Sequence, residues 1–346
     1  MKSIRHSITF FSILYLFILQ GCFGPKNTKS TKTFKTTQKT NNSDTGVNNA
    51  KQSSPTHNSE PTKGIDDKTI EATKQKTEPV ITVWIHGTRL VTQFAPQEFI
   101  FSPPGIRSVN EITDRYLIRK IAKKLSAIDP KRFQLENFYI FGWPGKLSFE
   151  ARKQAAQELY NALNDLAKIY YEEHGIRPTF RIITHSHGGN VVLNLPKIKD
   201  AENNLTISEL ILLACPVQEK TKDAIKSPLF KRIYSFFSRG ELLQILDPQG
   251  IYKGNKNTPL FSKRTFPSNP KLSQAQIKML GRSILHVEFL LGHFMYKLPA
   301  MLDALDSEHI KEDSDNKEKD YFIIDLMKKH TRRKKYKRKH KILIIN

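Results

Sequence analysis

Six residues carry the sharpest chemical signal: Thr184-His185-Ser186-His187-Gly188-Gly189. They follow a strand-like segment, Phe180-Arg-Ile-Ile183, and open a segment of helical character. A strand that turns sharply into a helix is the setting of a nucleophile elbow. Such a turn lifts a serine hydroxyl clear of the sheet. The backbone N–H groups just behind it then stabilise negative charge on a bound substrate. The turn has space only for small residues two before and two after the serine. Gly188 meets that need, and Thr184 stands where glycine is usual. A serine that merely caps the helix is the plainer alternative. His185 and His187 fit packing or substrate contact. They straddle a turn, lack i,i+4 spacing and have no carboxylate beside them, so no metal site is expected.

The elements that must hold this turn are read from periodicity. Strands are expected over 80–85, 137–141, 179–183, 210–214, 232–237 and 283–291. Helices are expected over 149–173, from 189 to 195 and over 294–305. In the first helix Ala155, Leu159, Leu163, Leu166 and Ile169 recur at roughly helical spacing, Gly175 stops it and Pro178 follows. Strands alternating with helices imply an α/β fold, a three-layer sandwich with a mostly parallel central sheet covered on both faces. No internal repeat is present.

The first strand ends at His86-Gly87-Thr88, and the second ends in Gly142-Trp143-Pro144-Gly145. With Trp84-Ile-His-Gly-Thr88, Phe141-Gly-Trp-Pro-Gly145, the Ser186 turn and Leu212-Leu-Ala-Cys-Pro216, the chain over 80–305 resembles the α/β-hydrolase superfamily, in its lipase and serine-esterase branch. The resemblance implies a Ser, acid, His triad in that chain order and no cofactor. Ser186 would be the nucleophile, with backbone N–H groups of Thr88 and His187 as the oxyanion hole. His86, Gly87 and Gly188 would shape the supporting loops. The acid would follow the strand at 232–237: Glu241 in Ser-Arg-Gly-Glu, with Asp247 as the competitor in a turn-like Asp-Pro-Gln-Gly. The base would precede the last helix: His293, or His286 if the last strand ends early. The implied substrate is a lipid or small-molecule ester; thioesters and amides also fit.

The rest of the chain bears on where such chemistry would occur. Lys2 and Arg5 precede an apolar run at 8–19, as in an export signal. Leu19-Gln20-Gly21-Cys22 resembles a bacterial lipobox, which implies lipidation of Cys22 and anchoring at a membrane surface of the cell envelope. The domain boundaries expected are 1–22 for the signal, 23–78 for a polar disordered linker, 79–306 for the α/β domain and 307–346 for a charged tail. Residues 328–341 hold ten Lys and Arg and no acid. Much of the net charge of +23 over 346 residues is therefore terminal. The linker and tail also explain a hydrophobic content of 38%, against about 45–50% (Gly included) for globular domains. Two cysteines exclude a disulfide scaffold and a multi-cysteine zinc site. The segment at 93–107, with Phe94, Phe99, Ile100 and Phe101 among prolines, reads as an irregular apolar loop that lines a pocket or packs on its own domain. The stretch at 250–272 reads as a polar surface excursion. Two further functional readings stay open. One is an α/β-hydrolase fold with a degenerate triad, serving as a binding or scaffold protein. The other is a binder of anionic lipid or nucleic acid through the basic tail, although no recognised nucleic-acid module accompanies it.

Overall fold

The structure, a computed structural model, describes residues 78–89, 101–240, 264–315, 321–326 and 342–345. All fall within one compact unit, Ala72–Asn346.

In chain order the main elements are β1 (Val80–Ile85), β2 (Gly105–Ser108), α1 (Leu117–Ile128), β3 (Phe138–Gly142), α2 (Phe149–His174), β4 (Thr179–His185) and α3 (Gly188–Val192). There follow β5 (Ile207–Leu213), β6 (Phe230–Phe237), β7 (Leu272–Met279), β8 (Arg282–Ser283), a 3-10 turn at His286–Leu290, α4 (Gly292–Met295), α5 (Leu298–Asp315), β9 (Phe322–Leu326) and β10 (Ile342–Ile345). The sheet order is β10-β9-β7-β6-β5-β4-β1-β3-β2, with β8 paired to β7. Among the described strands only β2 and β8 run antiparallel to their neighbours.

Successive strand residues point to opposite faces, and both faces are covered, so the strands read as continuous apolar runs. Ile81, Val83 and Ile85 of β1 join a core with Ala155, Leu159 and Leu163 of α2. Trp84, between them, joins the opposite core with Ile121 and Leu125 of α1 and Met301 and Leu302 of α5. The result is the expected three-layer sandwich. The long helix α2 starts where Ser148 accepts the Ala151 N–H, and it stops at Gly175, whose φ of 69° suits glycine. Each fully buried leucine of α2 contributes about 1.5–3 kcal/mol by leaving water.

Three expectations change. The strand expected over 283–291 is extended only at Arg282–Ser283. Glu288 then turns back to accept the Leu285 N–H at 2.6 Å and pairs with Arg282, closing the 3-10 turn. The strand at this point in the sheet is β7, whose Ser273, Gln274 and Gln276 are buried. Gln274 is satisfied twice by the Phe266 backbone, at 2.7 and 3.0 Å. Second, the boundary expected at 306 falls too early. Strands β9 and β10, from the segment read as tail, extend the same sheet, and Ile324, Leu326 and Ile345 enter its core. Third, 105–107 of the expected loop belong to the edge strand β2; residues 90–100 lie outside the described residues.

Candidate active site

Ser186 follows the last residue of β4 and adopts a φ of 53°, a left-handed conformation uncommon outside glycine. Its N–H donates to the Leu213 carbonyl at 2.8 Å, and its own carbonyl accepts the Gly189 N–H at 3.0 Å. These two bonds hold the elbow between the end of β5 and the start of α3. Thr184 lies within β4, where its hydroxyl donates to the Ile211 carbonyl at 3.3 Å. The larger residue is thus accommodated by the neighbouring strand. Ser186 retains 8% exposure, whereas His86 and Gly188 beneath it are buried.

The turn after β1 is pressed against this elbow. A Cβ built on Gly87 would lie 2.7 Å from the Cβ of Ser186, and one on Gly188 would lie 2.5 Å from the His86 carbonyl oxygen. Neither position admits a side chain without moving backbone. The His86 ring fixes the turn from below. Its Nδ1 donates to the Gly87 carbonyl at 2.7 Å, and its Nε2 accepts the Trp143 N–H at 3.3 Å. Those partners require the neutral Nδ1–H tautomer. Burial agrees, pushing the His86 pKa down to about 4. Trp143 completes the clasp: its indole N–H donates to the His86 carbonyl at 2.8 Å, and the Gly145 carbonyl accepts the Arg89 N–H at 2.8 Å. The Thr88 hydroxyl oxygen is buried and has no hydrogen-bond partner among the described residues.

On the other side of the elbow, Asn190 forms a hub. Its amide donates to the Pro216 carbonyl at 3.0 Å and faces His187 Nδ1 at 3.4 Å, while its carbonyl accepts the Thr221 hydroxyl at 2.7 Å. The two histidine candidates for the base separate here. The ring of His286 lies against that of His185, with centroids 4.6 Å apart, and His185 Nε2 meets the His286 carbonyl at 3.2 Å. The His293 ring sits instead beside Glu288, 3.7 Å from its carboxylate. Burial lowers the His293 pKa, against the charge of Glu288, which itself is clasped by Arg282. His185 is held neutral, its pKa pushed well below the ordinary range by burial and then by the neighbouring His286.

Glu241, Asp247 and Cys22 lie outside the described residues, as do the linker up to residue 77 and all of the basic run at 328–341. The chain does approach Glu241 from a defined place. A Cβ on Gly240 would lie 2.8 Å from the Ile284 carbonyl oxygen, two residues before His286. Among the described residues no group of three or more His, Cys, Asp or Glu is placed to hold a metal ion. The roles of Trp143 and Asn190 are not apparent from sequence spacing. The only local hints are a tryptophan between two glycines after a strand and a polar residue at the start of a buried helix.

No protein-family model matches the chain, and no curated protein matches it. Solved structures similar to it include a thermostable carboxylesterase cloned from a metagenomic library, at 13% identity and TM-score 0.36, with 70% of this chain and 81% of that one covered. Another is acyl-protein thioesterase 2 of Zea mays, at 11% identity and TM-score 0.32, with 67% and 95% covered. A third is a phospholipase of Legionella pneumophila, at 14% identity and TM-score 0.30; the chain covers 58% of its own length there and spans 38% of that protein. These likenesses are distant and transfer no function. The chain's own strand order, its glycine-lined turn after β1 and its serine elbow after β4 are those of an α/β-hydrolase fold, and that is the fold this protein has.

Proposed function

We propose that the protein is a serine hydrolase that cleaves carboxylic esters through an acyl-enzyme. Ser186 is the nucleophile, His286 the base and Glu241 or Asp247 the acid. The N–H groups of Thr88 and His187 hold the oxyanion. The observation that carries this reading is the elbow itself: a serine at φ 53° with glycine backbone packed against its Cβ. Strain of this kind persists only where surrounding structure enforces it, and it clusters at reactive sites. His286 is favoured over His293 because its ring packs on the residue preceding Ser186, whereas His293 faces Glu288. The approach of Gly240 to Ile284 supports an acid from the segment beginning at Glu241.

In this mechanism Ser186 Oγ bonds to the ester carbonyl carbon as its proton passes to His286. The carbonyl oxygen gains the electron pair and sits between the two N–H groups. Collapse breaks the bond to the alcohol, which leaves with the proton from His286. Water then repeats the sequence on the acyl-enzyme and frees the acid. The substrate is a lipid or small-molecule ester. An export signal, a lipidated Cys22 and the basic run at 328–341 would together set the enzyme at an anionic membrane surface.

A fluorophosphonate probe and a short-chain ester test the reading. The intact protein is expected to be labelled and to hydrolyse the ester. Ser186→Ala should lose labelling and more than about 1,000-fold in kcat. Folded wild-type protein that takes no label would favour the scaffold reading.

A further inference from the structure

His185 has no part in the mechanism above, yet its ring reaches two separate loops of the site. We infer that His185 is a positioning residue that fixes the segment carrying the general base to the nucleophile elbow. The inference rests on His286 being that base.

The geometry is specific. A backbone carbonyl can only accept, so the 3.2 Å contact to the His286 carbonyl requires a proton on His185 Nε2. The ring is neutral, so Nδ1 carries none. That nitrogen points towards the turn after β1: a Cβ built on Gly87 would lie 3.3 Å from it. One ring thus spans from the oxyanion turn to the base segment, and it is bonded through the backbone to Ser186. It projects from the last residue of β4, a central strand.

Ile284, Phe289 and Leu290 fix the flanks of the base segment in the core, whereas His286 itself is only part-buried and follows exposed Leu285. The segment comes after a tight hairpin turn at Leu280 and Gly281, both in left-handed conformations. Glu288 bonds within it close the 3-10 turn, and the His185 contact sets the position of the His286 backbone relative to β4. Neutrality of His185 also matters, since a cation there would repel the imidazolium that His286 becomes during acyl transfer.

The test uses the full chain and a p-nitrophenyl ester. His185→Phe keeps a ring but removes the donor; kcat is expected to fall roughly 10- to 100-fold through misplacement of the base, with KM little changed. His185→Gln, whose amide N–H reaches the same carbonyl, should recover most of that loss, while the shorter His185→Asn should not. In a His286→Ala background, His185→Phe should remove almost nothing further, because the two act as one unit. The tether is overturned if His185→Phe keeps wild-type kcat, or if it costs the same factor with and without His286. It is also overturned if Asn and Gln behave alike, a comparison that holds even if the Phe variant fails to fold. Wild-type kcat in His286→Ala would instead sink the base assignment, and the tether with it.

Discussion

At the amino ends of β4, β5 and β6, Arg181, Glu209 and Arg232 sit side by side as a row of alternating charge. At the carboxyl ends of the same strands the chain places a neutral histidine, left-handed turns at Ser186 and Ala214, and glycines packed against backbone. Both regions bury polar groups, but they satisfy them differently. At the amino ends the buried charges of this row meet opposite ones. Arg181 pairs with Glu209, and Arg132 reaches Glu209 at 2.9 Å, Asp303 at 2.8 Å and Asp306 at 3.0 Å. Asp306 also accepts the Tyr234 hydroxyl at 2.6 Å, which ties α5 to the sheet. At the carboxyl ends most polar groups around the elbow are uncharged and hold backbone in place; the charged ones include Arg264, which donates to the Ser238 carbonyl, and Glu288, which Arg282 clasps. One end is closed electrostatically. The other is ordered chiefly by backbone hydrogen bonds around the elbow, which keeps its donors preorganised for charge that develops on a substrate.

Breaking the first region should cost stability and leave chemistry alone. Glu209→Gln leaves Arg181 buried beside a neutral amide, and a loss of about 3 kcal/mol is expected from chemical denaturation, with kcat of the folded enzyme unchanged. The same residue sets a pH dependence. Burial raises the Glu209 pKa, but Arg181 and Arg132 more than offset this and hold it below the ordinary value. A carboxylate with a depressed folded pKa contributes fully above its unfolded pKa, about 4.3, and that contribution disappears as pH falls through the lower folded value. Melting temperature should therefore drop more steeply below about pH 4 in the wild type than in Glu209→Gln. Parallel curves would remove Glu209 from the account.

Disturbing the second region should do the reverse. Gly87→Ala forces the turn after β1 away from Ser186, and kcat should fall about 100-fold while stability changes much less than in Glu209→Gln. A Gly87→Ala enzyme with unchanged kcat would mean that this turn does not shape the oxyanion site.

The contrast also explains what could be read from sequence. The central strands, α2 and the elbow were legible because each is set by local period or by a short turn. Strand β7 was hidden because Ser273, Gln274 and Gln276 are buried in it, made tolerable by partners such as Phe266 that no local pattern reveals. Strands β9 and β10 are short apolar runs inside charged surroundings, and only pairing across the sheet identifies them. The two candidate bases, seven residues apart, could not be separated from sequence. What distinguishes them is a contact across 101 residues between His185 and His286, whereas His293 lies 3.7 Å from Glu288, whose carboxylate is already bonded to Arg282.

The claim that Ser186 is activated by His286 at the carboxyl end of the sheet is tested most directly by the rate of fluorophosphonate labelling in two variants. His286→Ala should slow labelling by about 1,000-fold or more, while His293→Ala should label at close to the wild-type rate. The opposite pattern, with His293→Ala inert and His286→Ala reactive, would contradict the account.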